Sequence, residues 1–385
     1  MVLQPSNKNN VLKKRSSAKS SENIPPVKLR TVSSSLKDAS RRRRARVAGN
    51  FSTTSNFATN KQAYAQHIKQ RKMKSSSSKA LRFHFESFSI PVQDVEMKDI
   101  QPTTQQIMEK TTVQLPRHLA RPDYKEISRE TLTAIDPELT KTPVEYIHEG
   151  LTALGPEMYK VLGGVKPAPL PQSPALPQEL AIVINDLSSE MPSHMLAVYS
   201  SQTNNTASNR RSKVTLYPSH NIVLAAHCAN LPPLRSITHP APKVAGSSIT
   251  VPVVPLCIPA AELYAPLSMY LYTKRADLLL QSLLPVVPPT PINVYASPDE
   301  TPEEAARQQQ KILSFARQLA ATYTPHALLQ YAMRVNGLWR NVCALGIFDS
   351  GIWETIDTAW EVLLLALGMA TGNLDKVMGG PTSSS

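Results

Sequence analysis

The residues equipped for chemistry are few and scattered. His227 and Cys228 are adjacent, Cys257 and Cys343 lie far from them, and His220 stands seven positions before His227. Nucleophilic catalysis needs a nucleophile, a base within hydrogen-bond reach and a group that orients the base. Neighbours on a helix sit about 100° apart, so His227 and Cys228 face different ways, and Cys228 reads as a small core residue. His220 reads as a packed, hydrogen-bonded histidine rather than a ligand or base. Zinc needs closely spaced pairs such as Cys-x-x-Cys, and the sequence has none. Gly163-Gly164 lacks the Lys-Ser/Thr of a phosphate loop and reads as a helix stop. There is no dinucleotide fingerprint and no pair of catalytic carboxylates. The expectation is a non-enzymatic chain without catalytic residues, metal or cofactor.

The electrostatics are concentrated elsewhere. The 385 residues carry 42 Lys+Arg against 29 Asp+Glu, a net charge of +13. Residues 1–85 hold 20 of the basic residues and only Glu22 and Asp38 as acids, a charge of +18, whereas the remainder carries −5. Its Ser-, Asn-, Lys- and Arg-rich composition buries too little apolar area to offset about 1–2 kcal/mol of backbone entropy per residue, so residues 1–90 are expected to form a disordered basic tail. Basic clusters stand at Lys13-Lys14-Arg15, at Arg41-Arg42-Arg43-Arg44-Ala45-Arg46 and at Lys69–Lys74. The middle one, with five guanidiniums in six residues, suits the acidic groove of a nuclear import receptor or a run of phosphates. Direct contact with nucleic acid ranks second, because the tail lacks interleaved aromatics that stack on bases.

Three cysteines cannot build a disulfide framework, which points to a reducing compartment. Met1–Asn10 has no apolar run of a secretory signal. The apolar run Val362–Ala370 is far shorter than the ~20 residues of a membrane span and reads as a core helix, so no membrane contact is expected. Ser-Pro and Thr-Pro steps invite a proline-directed kinase. Thr142, Thr301 and Thr324 are accounted for as helix N-caps, which leaves Ser173 and Ser297, in proline-rich linkers, as the phosphorylation candidates.

The supporting elements are legible in part. Leu81–Phe88 alternates apolar and polar residues, as a short strand or as a linear motif that orders on a partner. Residues 91–141 are weakly patterned, with a short helix near Arg129–Ala134. Thr142-Pro143-Val144-Glu145 is a capped helix start, and that helical segment runs over 142–164 with a stop or kink at Gly155-Pro156. A proline-rich linker covers 165–179. An α+β domain spans 180–285, with strands at Ala181–Ile184, Met195–Tyr199, Lys213–Tyr217 and Ile249–Val251 and helices from Pro218-Ser219 and over Pro259–Tyr272. A linker at 286–300 precedes a helical region, 301–373, and a disordered end, 374–385. Trp339, Trp353 and Trp360 are expected in its core.

Val214-Thr215-Leu216-Tyr217-Pro218-Ser219-His220, with Leu224 and Cys228 four and eight positions after the histidine, resembles the core of a BTB/POZ domain. Tyr264, Leu267, Tyr270, Leu271, Tyr272 and Thr273 resemble that family's later helix, with Lys274 where glycine is usual. More closely, the chain resembles the clampless family of basidiomycete fungi. That likeness rests on Arg121-Pro122-Asp123-Tyr124, Pro143–Ile147, Pro218–Leu231, Tyr270–Arg275 and Asn336–Val342. Helices trailing a β/α unit give an α+β layer arrangement, a small BTB-like domain packed with C-terminal helices. The resemblance implies a nuclear regulator or adaptor of mating-type-controlled sexual development, active in clamp-cell formation and dikaryotic growth. Its partners would be other proteins, including mating-type transcription factors, and an import receptor. A homodimer of the body and nucleic-acid binding by the tail stay open.

Overall fold

In the computed structural model the described residues are 80–88, 108–169, 175–200, 213–231, 244–295 and 301–378, with Leu234 and Pro242. The clusters Lys13–Arg15 and Arg41–Arg46, and Ser173 and Ser297, lie outside them. The architecture is mixed α+β, as expected.

Strand β1 (Leu81–Phe88) pairs antiparallel with β2 (Met108–Leu115), with Leu81 opposite Leu115 and Phe85 opposite Thr111. Leu81, Phe83 and Phe85 enter the core while Arg82 and His84 stay exposed, the period-2 division of a strand with one buried face. Of the two readings open for this segment, the strand holds. The stretch 91–141 is less irregular than its pattern implies, because β2 lies in it. The β2 sequence Met-Glu-Lys-Thr-Thr-Val-Gln-Leu is weakly alternating, and it is a strand because β1 supplies its hydrogen-bond partners.

Helix α1 (Arg129–Ile135) is capped by Ser128, whose Oγ accepts from the Thr131 amide at 3.4 Å, and a 3₁₀ turn follows at Pro137–Lys141. Helix α2 (Val144–Gly163) starts without the side-chain cap expected from Thr142. Thr142 instead closes the preceding turn: its amide donates to Leu139 O and its hydroxyl to Glu138 O. Nor does Gly155-Pro156 end this helix. Ile147 and Leu151 before the proline, and Met158, Val161 and Leu162 after it, are all buried, and that burial offsets the ~3 kcal/mol an interior proline costs.

Strands β3 (Val165–Pro167), β4 (Glu179–Ile184), β5 (His194–Ser200), β6 (Thr215–Ser219) and β7 (Ser247–Ile258) form one sheet in the order β3-β4-β7-β5-β6. β7 changes partners along its length: Ser247–Pro252 run antiparallel to β4, and Val253–Ile258 parallel to β5. One face of the sheet buries a small separate cluster, including Leu180, Ile182, Met195, Ala197 and Val251. The other sends Leu196, Val198, Leu256 and Ile258 into the main core. Pro218 and Ser219, expected to begin a helix, end β6 instead; the short helix α3 (Asn221–His227) starts after His220. β3 lies within the expected linker, and β7 is longer than the three-residue strand expected there.

A 3₁₀ turn at Ala261–Leu263 leads into α4 (Tyr264–Thr273), then α5 (Ala276–Leu283), α6 (Pro302–Thr322), α7 (Pro325–Leu345), α8 (Ser350–Ala370) and α9 (Leu374–Met378). Thr301 and Glu304 form the reciprocal capping box expected of α6, and Thr324 accepts from the Ala327 amide at the start of α7. Helix α8 is the centre of the molecule, packed against α5, α6, α7 and α9, and its apolar run is buried on nearly every side. Among the described residues no helix is long and apolar enough to cross a membrane. Trp353 and Trp360 are buried as expected, whereas Trp339 is only partly buried and donates its indole N–H to Ala120 O at 2.6 Å. Leu374–Met378, expected to be disordered, is helical because Val377 seats in the core beside Gly368.

Candidate functional site

The segment after β2 runs over the C-terminal helices as a strap. Pro116 O accepts from the Trp360 indole at 3.2 Å, and Arg117 makes a two-pronged pair with Glu361 on α8. Arg121 reaches Asp357 Oδ2 at 2.5 Å and the Tyr295 hydroxyl at 2.6 Å, and the Tyr295 hydroxyl also donates to Asp357. The Arg121 and Asp357 side chains are only 3% and 4% exposed. The guanidinium lies 5.2 Å from the Trp353 ring centre and 5.6 Å from that of Tyr295, so the charge is both paired and stacked.

Tyr272 organises the start of α3. The His220 backbone N–H donates to the Tyr272 hydroxyl at 2.9 Å, His220 Nδ1 lies 3.0 Å from that hydroxyl, and Nε2 lies 2.9 Å from Glu190 O. These partners fix the tautomer: Nε2–H donates to the carbonyl, and Nδ1 accepts from the phenol. Burial pushes the His220 pKa down to about 4 and the Cys228 thiol up to about 12. Leu224, Cys228, Tyr264 and Tyr270 are likewise buried. The residues that carry the BTB-like pattern are therefore packed in the interior.

Lys274 follows α4 with φ of 54°, in the left-handed region. Its ammonium lies 3.0 Å from Asp349 Oδ2 and 5.4 Å from the Tyr270 ring centre. Tyr270 donates to Asp349 Oδ1 at 2.6 Å, and the same oxygen caps α8 by accepting from Gly351 and Ile352. Burial pushes the Asp349 carboxyl up, but Lys274 and the Tyr270 hydrogen bond outweigh it and hold the pKa at about 2. Burial and Asp349 together raise Tyr270.

These elements enclose a cleft of about 260 Å³. Tyr124 and Phe348 form one wall, with ring centres 5.1 Å apart. His148 of α2 and His227 of α3 line it further in, stacked at 4.6 Å and 17°. His148 Nε2 lies 2.5 Å from Ala226 O, while His227 Nε2 is buried without a hydrogen-bond partner among the described residues. Burial lowers the pKa of both, and Lys274 lowers them further. Glu126 and Glu145 stand exposed at the rim with Lys125 and Arg129. Among the described residues no group of three or more His, Cys, Asp or Glu is placed to hold a metal ion.

His220 and His227 occupy opposite ends of α3, about 10 Å apart at 1.5 Å per residue, and face different surroundings: Tyr272 and Glu190 for one, His148 for the other. The structure therefore does not bring His220, His227 and Cys228 into one cleft. Sequence reasoning missed His148 and Asp349. Asp349 carried a legible signal, an aspartate just before a helix; His148 carried none.

The class defined by these features is a mixed α+β protein whose amino-terminal strap and carboxy-terminal helices close on one another through buried polar contacts. The chain belongs to the clampless family. Residues 122–259 match the Clampless protein 1 N-terminal domain and residues 277–384 the Clampless protein 1 C-terminal domain. The family's name ties it to clamp formation and sexual development. No curated protein and no solved structure matches the chain.

Proposed function

We propose that the protein is a non-enzymatic nuclear regulator of mating-type-controlled sexual development, an adaptor in clamp-cell formation and dikaryotic growth that works through contacts with other proteins. The observation that carries this reading is the division of charge, +18 on residues 1–85 against −5 on the rest. A distributed cationic face on the folded body would favour nucleic acid; a separate basic segment favours an import receptor. The burial of His220, Cys228 and Tyr272 supports the adaptor reading, since each is held by the fold's own contacts.

Replacing Arg41, Arg42, Arg43, Arg44 and Arg46 by Ala in a fluorescently tagged full chain, with Lys13, Lys14 and Arg15 kept, should reduce nuclear accumulation. Unchanged accumulation would overturn the import assignment. Binding of the wild-type chain to duplex DNA, weakening steeply as salt rises, would favour a nucleic-acid-binding regulator instead.

A further inference from the structure

Four Thr-Pro steps lie among the described residues: Thr142-Pro143, Thr290-Pro291, Thr301-Pro302 and Thr324-Pro325. The fold uses three of their hydroxyls. Thr142 Oγ donates to Glu138 O at 3.2 Å, and Thr142 is half-buried. Thr301 Oγ accepts from the Glu304 amide at 3.3 Å and donates to its carboxylate at 3.0 Å, while Thr324 Oγ accepts from the Ala327 amide at 3.3 Å. Thr290 differs. It is exposed, and neither its hydroxyl nor any backbone group of residues 285–291 hydrogen-bonds to a described residue.

This loop stands off the body but is held at both ends. Leu284, which closes α5, and Ile292 are buried, whereas Val286 and Val287 between them are 40% and 51% exposed. Pro285, Pro288, Pro289 and Pro291 carry no amide donor and bias the residues before them, Thr290 included, towards extended backbone. Such a segment can be seated in another protein's groove without opening a helix or a sheet ladder.

We infer that Thr290 accepts a phosphoryl group from ATP, transferred by a proline-directed protein kinase. The Thr290 Oγ attacks the γ-phosphorus in line, and its new O–P bond forms as the bond to the β-phosphate oxygen breaks. ADP leaves, and the hydroxyl proton passes to the kinase's catalytic aspartate. Pro291 selects the kinase class, because a groove that needs an amide N–H just after the acceptor rejects it. The product adds about −1.5 to −2 charges to residues 86–385, whose own charge is −5. At Thr301 the same group would stand beside the Glu304 carboxylate and break the capping box, and at Thr324 it would take the oxygen that caps α7. The assignment is independent of the proposed nuclear role.

A kinase assay on the folded full-length protein tests it. With a purified proline-directed kinase, Mg-ATP and mass spectrometry to place the phosphate, the initial rate at Thr290 should exceed that at Thr142, Thr301 and Thr324. The excess should be roughly fivefold or more, the factor set by freeing one helix cap or one hydroxyl hydrogen bond before the oxygen reacts. In separate peptides covering each step, where no fold holds the hydroxyls, the ratio should fall by about that factor. Thr290→Val should remove the signal at this position and leave Tm unchanged, since the side chain is exposed. Absence of phosphate at Thr290 in the folded chain, or an equal rate at any of the other three, would overturn the assignment. So would an identical ratio in the peptides, because the fold would then play no part in the choice.

Discussion

Asp357→Asn tests whether the strap is held by its buried charge. The substitution keeps the side chain's volume and one acceptor oxygen and removes only the negative charge. Arg121 then keeps its place among Trp353, Tyr295 and the strap but loses the carboxylate at 2.5 Å. With both side chains under 5% exposed, water cannot replace that partner. Breaking one side of a buried pair costs about 3–5 kcal/mol, whereas replacing both sides by apolar residues of similar volume is often neutral. Each kcal/mol lowers Tm by about 2–4 °C in a body of 150–250 residues. Thermal unfolding followed by circular dichroism should thus show Tm lower by roughly 6–20 °C in Asp357→Asn. The double variant Arg121→Met, Asp357→Leu should return to within about 2 kcal/mol of the wild type. If Asp357→Asn shifts Tm by less than about 3 °C, under the ~1 kcal/mol typical of exposed pairs, the pair is hydrated in solution and the reasoning fails.

Three further outcomes follow from local geometry. Lys274→Ala should cost more than Lys274→Gly, by about 1 kcal/mol in urea unfolding, because both lose the Asp349 pair but only alanine keeps the left-handed strain that glycine relieves. Gly155→Ala should destabilise by more than about 3 kcal/mol or prevent folding, since an added Cβ would lie 2.0 Å from the Tyr272 carbonyl oxygen, a backbone atom with no side chain to swing aside. Stability should also fall as pH drops from about 6.5 towards 4. His220 is held neutral in the fold with a pKa of about 4, so the unfolded chain binds its proton first across that window, a loss on the order of 3 kcal/mol from His220 alone. The urea midpoint measured against pH should fall less steeply in that window in His220→Gln, with His148 and His227, also lowered by burial, supplying the remaining slope; an unchanged slope would exclude His220 as a cause. Asp349, held at about 2, adds its own loss only as pH falls below about 3.8.

Local chemistry was legible in the sequence where it sufficed to form an element. The Thr301–Glu304 capping box, the Thr324 cap and the apolar run of α8 each contain their own cause within a few residues, and all three stand in the structure. What failed depended on distant partners. β2 has little pattern of its own and exists because β1 pairs with it. Thr142 looked like a cap, but the 3₁₀ turn before it captures its hydroxyl. Pro156 looked like a break, but the residues on both sides of it are held in the core. The cleft was illegible for the same reason: His148 and His227 are 79 positions apart, and only the packing of α2 near α3 stacks them. Lys274, an unusual residue for a left-handed position, has its ion-pair partner 75 positions away in Asp349.

The same long-range logic bears on where function can lie. The two matched blocks are not independent bodies joined by a linker. Asn341 on α7 is fully buried and bridges the backbone of Ala260, accepting from its N–H at 2.9 Å and donating to its carbonyl at 2.7 Å. The Ala229 and Asn230 amides donate to the Gly346 and Leu345 carbonyls, and Asp349 answers both Tyr270 and Lys274. The Ala229 and Asn230 bonds join the two matched blocks directly, and Ala260, Tyr270 and Lys274, which lie between the blocks, tie to the second; separation would leave the buried Asn341 amide without its partners, at about 1–3 kcal/mol per unsatisfied group, so they fold as one unit. Most of the patterns that made the sequence recognisable, Arg121 to Tyr124, His220 to Cys228 and Tyr270 to Lys274, lie along this seam. They specify how the body closes, and the closure creates the cleft: Tyr124 comes from the strap, His148 from α2, His227 from α3, and Phe348 and Asp349 from the turn before α8. A variant that loosens the seam should therefore disturb the cleft even where it touches none of its walls, whereas Glu145 can be changed without disturbing the seam. That separation distinguishes a loss of partner contact from a loss of fold.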